Sequence, residues 1–293
     1  MKSLSIKSYA KLNLYLEVLN KRPDHYHNIL TVFERISLFD KITLKSRRDT
    51  QIKIISNRPD VPLGEKNLAY QAAFLLKKDL GINKGIDIKI EKRIPVASGL
   101  GGGSSNAASV LRGLNQLWNL ALSHTRLISY GRRLGADVPF FLSEASYALG
   151  RKRGDEIEII PLKKRFWHLL LVPKIKVSTQ AVYKRLNQIR RVQSARLTNY
   201  PDNVKMLLKG LRDNNFFLIN KAIFNELEAV TIDLFPALGE LKEKLLNMGF
   251  KNIVMSGSGP AMFVFVSSRK EGGQVCRQLG KISTWQTFLV RTV

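Results

Sequence analysis

An α+β fold in two parts is what this sequence predicts, on three observations. Ile86, Ile88 and Ile90 alternate with Asp87, Lys89 and Glu91 as in a strand, and Ala107, Val110, Leu111, Leu114, Leu117 and Trp118 follow at helical spacing. Further strands are expected late in the chain, at residues 167–172 and on either side of a glycine turn within 253–266. Near residue 160 the pattern shifts, and residues 184–215 are basic, polar and mostly helix-compatible. The 293 residues suit one large or two modest domains, and we place a boundary at residue 162, giving parts 1–162 and 163–293.

The elements follow in order. Leu4, Ile6, Ala10, Leu12, Leu14, Leu16 and Val18 share one parity of an N-terminal strand. Tyr9, Lys11, Asn13, Tyr15 and Glu17 share the other, so Lys11 and Asn13 point the same way, as in a site or in a solvated face. A polar turn at 21–27 precedes an apolar run through Ile29, Val32, Phe33 and Ile36. Residues 67–80 have helical spacing through Leu68, Ala72, Leu75 and Leu76. Residues 134–141 read as a compact loop, in which Pro139 keeps Val138 out of the α region and limits helix. Leu238, Leu241, Leu245 and Met248 predict an amphipathic helix ending near Gly249. His124, His168, Trp118 and Trp167 read as structural.

The chemistry concentrates at residues 95–108, Pro-Val-Ala-Ser-Gly-Leu-Gly-Gly-Gly-Ser-Ser-Asn-Ala-Ala. A strand, a glycine loop and a helix start in succession aim unpaired backbone N–H groups and the positive end of a helix dipole at one point. A phosphate is the natural occupant. The glycines permit φ > 0 and a close approach of backbone to a bulky anion. Ser104 and Ser105 can cap the helix or turn their hydroxyls to a phosphate or its Mg²⁺. The loop lacks the Gly-Lys-Ser/Thr of a Walker A sequence, and Ser104 stands at the third glycine position of a dinucleotide fingerprint. Neither His-Arg-Asp nor Asp-Phe-Gly, the protein-kinase triplets, occurs.

Bulk composition excludes several classes. One cysteine, Cys276, allows no intramolecular disulfide and no cysteine-based metal site. No apolar run approaches a membrane span, and the first residues lack a signal-peptide core, so a cytoplasmic location is expected. The net charge of +25 is unusual, and residues 163–212 hold thirteen Lys or Arg and one acid, Asp202. Such a balance suits polyanionic partners. No zinc-finger, RNA-recognition or basic-zipper pattern supports nucleic acid, and steering of a nucleotide such as ATP is preferred.

The 95–108 stretch resembles the phosphate loop of the GHMP kinases, and more closely that of the branch acting on 4-diphosphocytidyl-2-C-methyl-D-erythritol in the non-mevalonate route to isoprenoids. The resemblance recurs in at least four blocks across most of the chain. It implies a two-domain kinase fold, with an N-terminal ATP-binding domain and a ferredoxin-like C-terminal domain closing over the acceptor. It implies ATP as co-substrate with Mg²⁺, and a monomer or homodimer with no membrane partner. The Gly-Ala-Asp-Val-Pro-Phe block at 135–140 matches the family's catalytic-base motif at Asp137. Lys11, in Ala-Lys-Leu-Asn, matches the lysine that pairs with it, and Asn13 would orient the acceptor. Tyr26 and His27 match a family segment that contacts cytosine, and Tyr183 aligns with an aromatic that stacks on the same ring, so that two aromatics would sandwich the base. Pro95, Gly99, Leu100, Gly101, Gly102, Gly103, Ser104, Ser105 and Asn106 would wrap the ATP phosphates, with Asn67 and Lys92 near the adenine. Ser105 is the candidate hydroxyl toward the metal. Residues 256–260 resemble the third family motif.

Two departures stand out. His25 occupies a position where the family usually has glycine, which matters if the turn needs φ > 0. Glu226, in Asn-Glu-Leu-Glu, stands where aspartate is usual. The rival readings are a relative acting on homoserine, mevalonate or a sugar, whose acceptors offer no base to stack on, and a basic nucleic-acid-binding protein, whose affinity would fall steeply with salt.

Overall fold

A long hairpin is the spine of the first half. Strands β1 (Ser3–Lys21) and β2 (His27–Arg47) pair antiparallel, with register shifts after Tyr9, Asn13 and Val18. The computed structural model describes residues 2–192, 200–280 and 284–293. Strands β3 (Ile52–Ser56) and β4 (Gly85–Glu91) extend the sheet on one side, and β5 (Tyr147–Arg151) and β6 (Glu156–Ile159) branch from β2. Helices α1 (Leu68–Leu80), α2 (Gly102–Leu117), α3 (His124–Leu134) and α4 (Val138–Ser143) cover one face, meeting Phe33, Ile42, Leu44, Ile86, Ile88 and Ile90.

The second half is built on strand β7 (Trp167–Pro173). The helices α5 (Thr179–Val192), α6 (Tyr200–Asp213) and α7 (Phe216–Ala222) follow. Strand β8 (Phe224–Asn225) then returns to pair with β1, before α8 (Glu226–Leu234) and α9 (Pro236–Asn247). Strands β9 (Val254–Met255) and β10 (Met262–Val266), helix α10 (Arg269–Leu279) and strand β11 (Trp285–Arg291) complete the chain. The second sheet is antiparallel, in the order β11-β7-β10-β9, which with its helices is the ferredoxin-like arrangement. One of its faces packs through Leu170 and Phe263 against Ala10, Leu12 and Leu14 of the spine, and the other packs on α5, α8, α9 and α10.

Three expectations change. From Ala10 to Val18 the N-terminal strand has no wet face: Lys11, Asn13, Tyr15 and Glu17 are as buried as the leucines, because helices cover one side and the second sheet the other. Pro139 does not prevent a helix, since α4 starts at Val138 with the proline in its first turn. The N–H that proline lacks is one the first turn would leave unpaired anyway. Helix α2 starts at Gly102, among the glycines rather than after them, with Gly101 at φ 68 as its N-cap. At the other end of the basic tract, α5 and α6 bear out the helical expectation, while residues 193–199 lie outside the described residues.

Candidate active site

A cavity of about 860 Å³ draws its walls from both halves of the chain. The glycine loop forms its floor. Gly99 and Gly101 have φ of 78° and 68°, so glycine is required there. Space demands it too: a Cβ on Gly99 would stand 2.1 Å from the Ser256 carbonyl oxygen, and one on Gly101 would stand 2.9 Å from the Phe141 ring.

Lys11 stands over this loop. Its backbone N–H donates to Leu100 O, which fastens β1 to the loop. Its Nζ donates to Gly99 O at 2.8 Å and to Asn13 Oδ1 at 2.5 Å, and Asp137 Oδ2 lies 3.6 Å away. Burial holds the Lys11 pKa below its ordinary 10.5, with Asp137 opposing. Asp137 sits at the N-cap of α4 yet makes no capping bond, so its carboxylate is left for the cavity. Asn13 is fixed at both ends, Nδ2 donating to Thr31 Oγ1 at 2.8 Å and the backbone N–H to Ser256 Oγ at 3.2 Å.

The other nucleotide-side candidates divide. Ser104 lines the cavity, whereas Ser105 and Asn106 turn inward. Ser105 Oγ accepts from Ser8 Oγ at 2.7 Å, and Asn106 Nδ2 donates to Ser8 Oγ and to Asp40 Oδ2, both at 2.9 Å. Lys92 Nζ donates to that same Asp40 oxygen at 2.5 Å. Asn67 caps α1, accepting from Ala69 N at 2.9 Å and donating to Pro62 O at 2.6 Å. Asp40 is fully buried and also accepts from the backbone N–H groups of Arg93 and Ile94, at 2.8 Å each. It anchors both ends of the 92–106 segment. The sequence signal, an aspartate inside an otherwise apolar run, is too common to have singled it out.

At the far end of the cavity His27 and Tyr183 stack, with ring centroids 5.1 Å apart and planes at 27°. His27 Nε2 stands 2.7 Å from Asn187 Oδ1. With the proton on Nε2 donated to Asn187, Nδ1 is left as an acceptor. Burial depresses the His27 pKa, and burial raises that of Tyr183. The ring that stands against Tyr183 in this structure is that of His27 rather than Tyr26. Tyr26 is instead 55% exposed, with the Arg153 guanidinium 5.2 Å from its ring centroid. His25 adopts φ 66, so the turn does need the conformation that glycine supplies most easily.

Asn187 was not singled out in the sequence, although it lies one helical turn beyond Tyr183. One turn further, Arg190 donates to Leu19 O at 2.7 Å and, at 2.5 Å each, to Val18 O and Glu226 Oε1. Glu226 Oε2 accepts from Val18 N at 2.8 Å, so the longer acid still closes this bridge from α8 to β1 and α5. The third glycine turn is held by Asn225, whose Nδ2 donates to Met255 O and Gly257 O at 2.6 and 2.8 Å. Among the described residues no cluster of three His, Cys, Asp or Glu could hold a metal.

A glycine loop beside a lysine–aspartate pair, on this pairing of sheets, points to the class. Residues 67–145 match the GHMP kinases N terminal domain and residues 207–282 the GHMP kinases C terminal domain, and the chain is an ATP-dependent kinase of that superfamily. It is 40% identical over 263 residues to the 4-diphosphocytidyl-2-C-methyl-D-erythritol kinase of Alkaliphilus metalliredigens (strain QYMF), covering 90% of this chain and 88% of that one. It is 39% identical over 295 residues to the enzyme of the same name from Geobacter metallireducens (strain ATCC 53774 / DSM 7210 / GS-15), with all of both chains covered. A solved 4-(cytidine 5'-diphospho)-2C-methyl-D-erythritol kinase superposes with a TM-score of 0.78 at 29% identity, covering 99% of this chain and 100% of that one. A homoserine kinase from Cytophaga hutchinsonii shares the fold, with a TM-score of 0.71 at 18% identity, covering 100% and 95%. The chain belongs to the 4-diphosphocytidyl-2-C-methyl-D-erythritol kinase family.

Proposed function

We propose that the chain transfers the γ-phosphoryl group of ATP to the 2-hydroxyl of 4-diphosphocytidyl-2-C-methyl-D-erythritol. The observation that carries this reading is one cavity with Lys11 and Asp137 over the glycine loop at one end and His27, Tyr183 and Asn187 at the other. Asp137 accepts the proton of the acceptor hydroxyl. Lys11, held on Gly99 O and Asn13 and 3.6 Å from Asp137 Oδ2, orients that carboxylate and offsets charge on the oxygen as it attacks. Residues Gly99–Ser104 take the ATP phosphates on backbone N–H groups at the start of α2. Asn67 and Lys92 border the adenine from their places at the start of α1 and the end of β4.

Mg²⁺ brought in with ATP would supply charge neutralisation for the phosphates. The donor set suits that mode, because a site with few carboxylates leaves the ion to phosphate and water. Ser104 lines the cavity beside the loop whereas Ser105 turns inward onto Ser8, so Ser104 rather than Ser105 would be the hydroxyl toward the metal. His27 Nδ1 accepts from the cytosine amino group, and the exposed ring of Tyr26 covers the base. Residues 1–162 and 163–293 are the two working parts, meeting at this cavity.

A coupled ADP-release assay tests the reading, with 4-diphosphocytidyl-2-C-methyl-D-erythritol, mevalonate, homoserine and galactose offered separately. Turnover with the cytidine compound alone is expected. Turnover with another acceptor in its place would sink the cytidine assignment and leave the phosphate-loop argument standing.

A further inference from the structure

A second cavity, of about 640 Å³, lies behind α2, where the start of β1 passes beneath that helix. Phosphoryl transfer makes no use of it. Its wall carries Lys7, Arg35 and Arg112 against one carboxylate, Glu144. Arg112 has a counter-ion, its Nη1 standing 2.6 Å from Glu144 Oε1. Arg35 is placed differently. Its Nε is buried without a hydrogen-bond partner, and its guanidinium lies 5.6 Å from the Tyr9 ring centroid. Burial holds its pKa below the ordinary 12.5, with Glu144 and Tyr9 opposing.

The buried Nε is closed off from the cavity as well as from water, so it is the outer Nη groups of the planar fork that an anion with two oxygens would meet. Ser109 and Gln116 add polar groups to the same wall. Leu4, Ile6, Leu127 and Phe141 supply an apolar one. We propose that this cavity binds a small phosphate monoester with an apolar body, its phosphate on Arg35 and Arg112 and its body against Leu127 and Phe141. The occupant would touch the back of the catalytic loop. Phe141 is the ring packed against Gly101, and Arg35 is the cross-strand partner of Lys11.

Phenyl phosphate is the probe. It is titrated calorimetrically into the full chain after the cleft has been filled with a non-hydrolysable ATP analogue. One saturable event is expected, weakened about tenfold or more in Arg35→Gln and in Arg112→Gln, with phenol failing to bind. Should Arg35→Gln not fold, Arg112→Gln carries the test alone. The proposal is overturned by absent saturation, by phenol binding as well as its phosphate, or by affinity that the folded variants leave unchanged. Equal weakening by Lys251→Gln, an exposed site far along the chain, would reduce the effect to general attraction by a protein of net charge +25 and would overturn it too.

Discussion

Lys11 is a charge kept where a charge is unfavourable, and the penalty is readable as pH dependence. Its folded pKa is depressed by burial. Below that value both folded and unfolded chains hold the proton, and the burial cost stands in full. Between that value and 10.5 the unfolded chain binds the proton that the folded chain has shed, so stability rises with pH. Lys11→Met removes the cost. The variant is expected to unfold at higher urea than wild type at pH 7, with the gap closing by pH 10, while turnover falls by about 10²-fold or more. Asp137→Asn is expected to lower kcat by about 10²–10⁴ with ATP binding retained, measured by ADP release and by nucleotide titration. His25→Gly relieves a left-handed backbone and is expected to stabilise by up to about 1 kcal/mol in urea melts. Lys11, Asn13 and Asp137 were legible because their short motifs matched a family. The burial of Lys11 was not, because alternation along one strand cannot say what covers each face.

At the scale of elements, the glycine segment is held by groups that no motif contains. Asp40 ties Lys92, Arg93, Ile94 and Asn106 together from β2. Asp40→Ala would leave Lys92 buried without its carboxylate, at an expected cost of about 3–5 kcal/mol in chemical unfolding. Helix α5 is comparable: Tyr183, Asn187 and Arg190 recur at helical spacing, one stacking on His27, one bonding it and one pinning the helix to β1. Because burial lowers the His27 pKa below its ordinary 6.5, the ring is neutral at pH 7. As pH falls through that lowered value the Nδ1 acceptor is lost, and the KM for the cytidine substrate is expected to rise while the KM for ATP holds. The basic tract holding Asn187 and Arg190 read as helix-compatible, and strand β4 and helix α2 were legible from periodicity. The bonds from Asp40 and Asn187 were not, since they join residues tens to more than a hundred positions apart.

At the scale of the molecule, the two sheets are joined by buried polar groups as well as by apolar area. Glu34 accepts from His168 Nε2 at 2.9 Å and from the Thr292 hydroxyl, and Thr292 Oγ1 accepts from Phe166 N at 2.8 Å. Thr292→Val is expected to cost about 1–3 kcal/mol, read as an earlier urea midpoint. The glycine loop is shared across the same divide. Ala261 N donates to Ser98 O at 3.1 Å, Ser256 Oγ donates to Gly99 O at 3.2 Å, and the Ser256 carbonyl fills the space where a Gly99 side chain would stand. This contact bears on inheritance. A recombinant gene that kept residues 1–162 and took the remainder from a distant cousin would carry a glycine loop cast in a mould it no longer owned. Crossovers that preserve activity must therefore move residues 95–106 and 253–261 as one linked pair, although more than a hundred codons separate them.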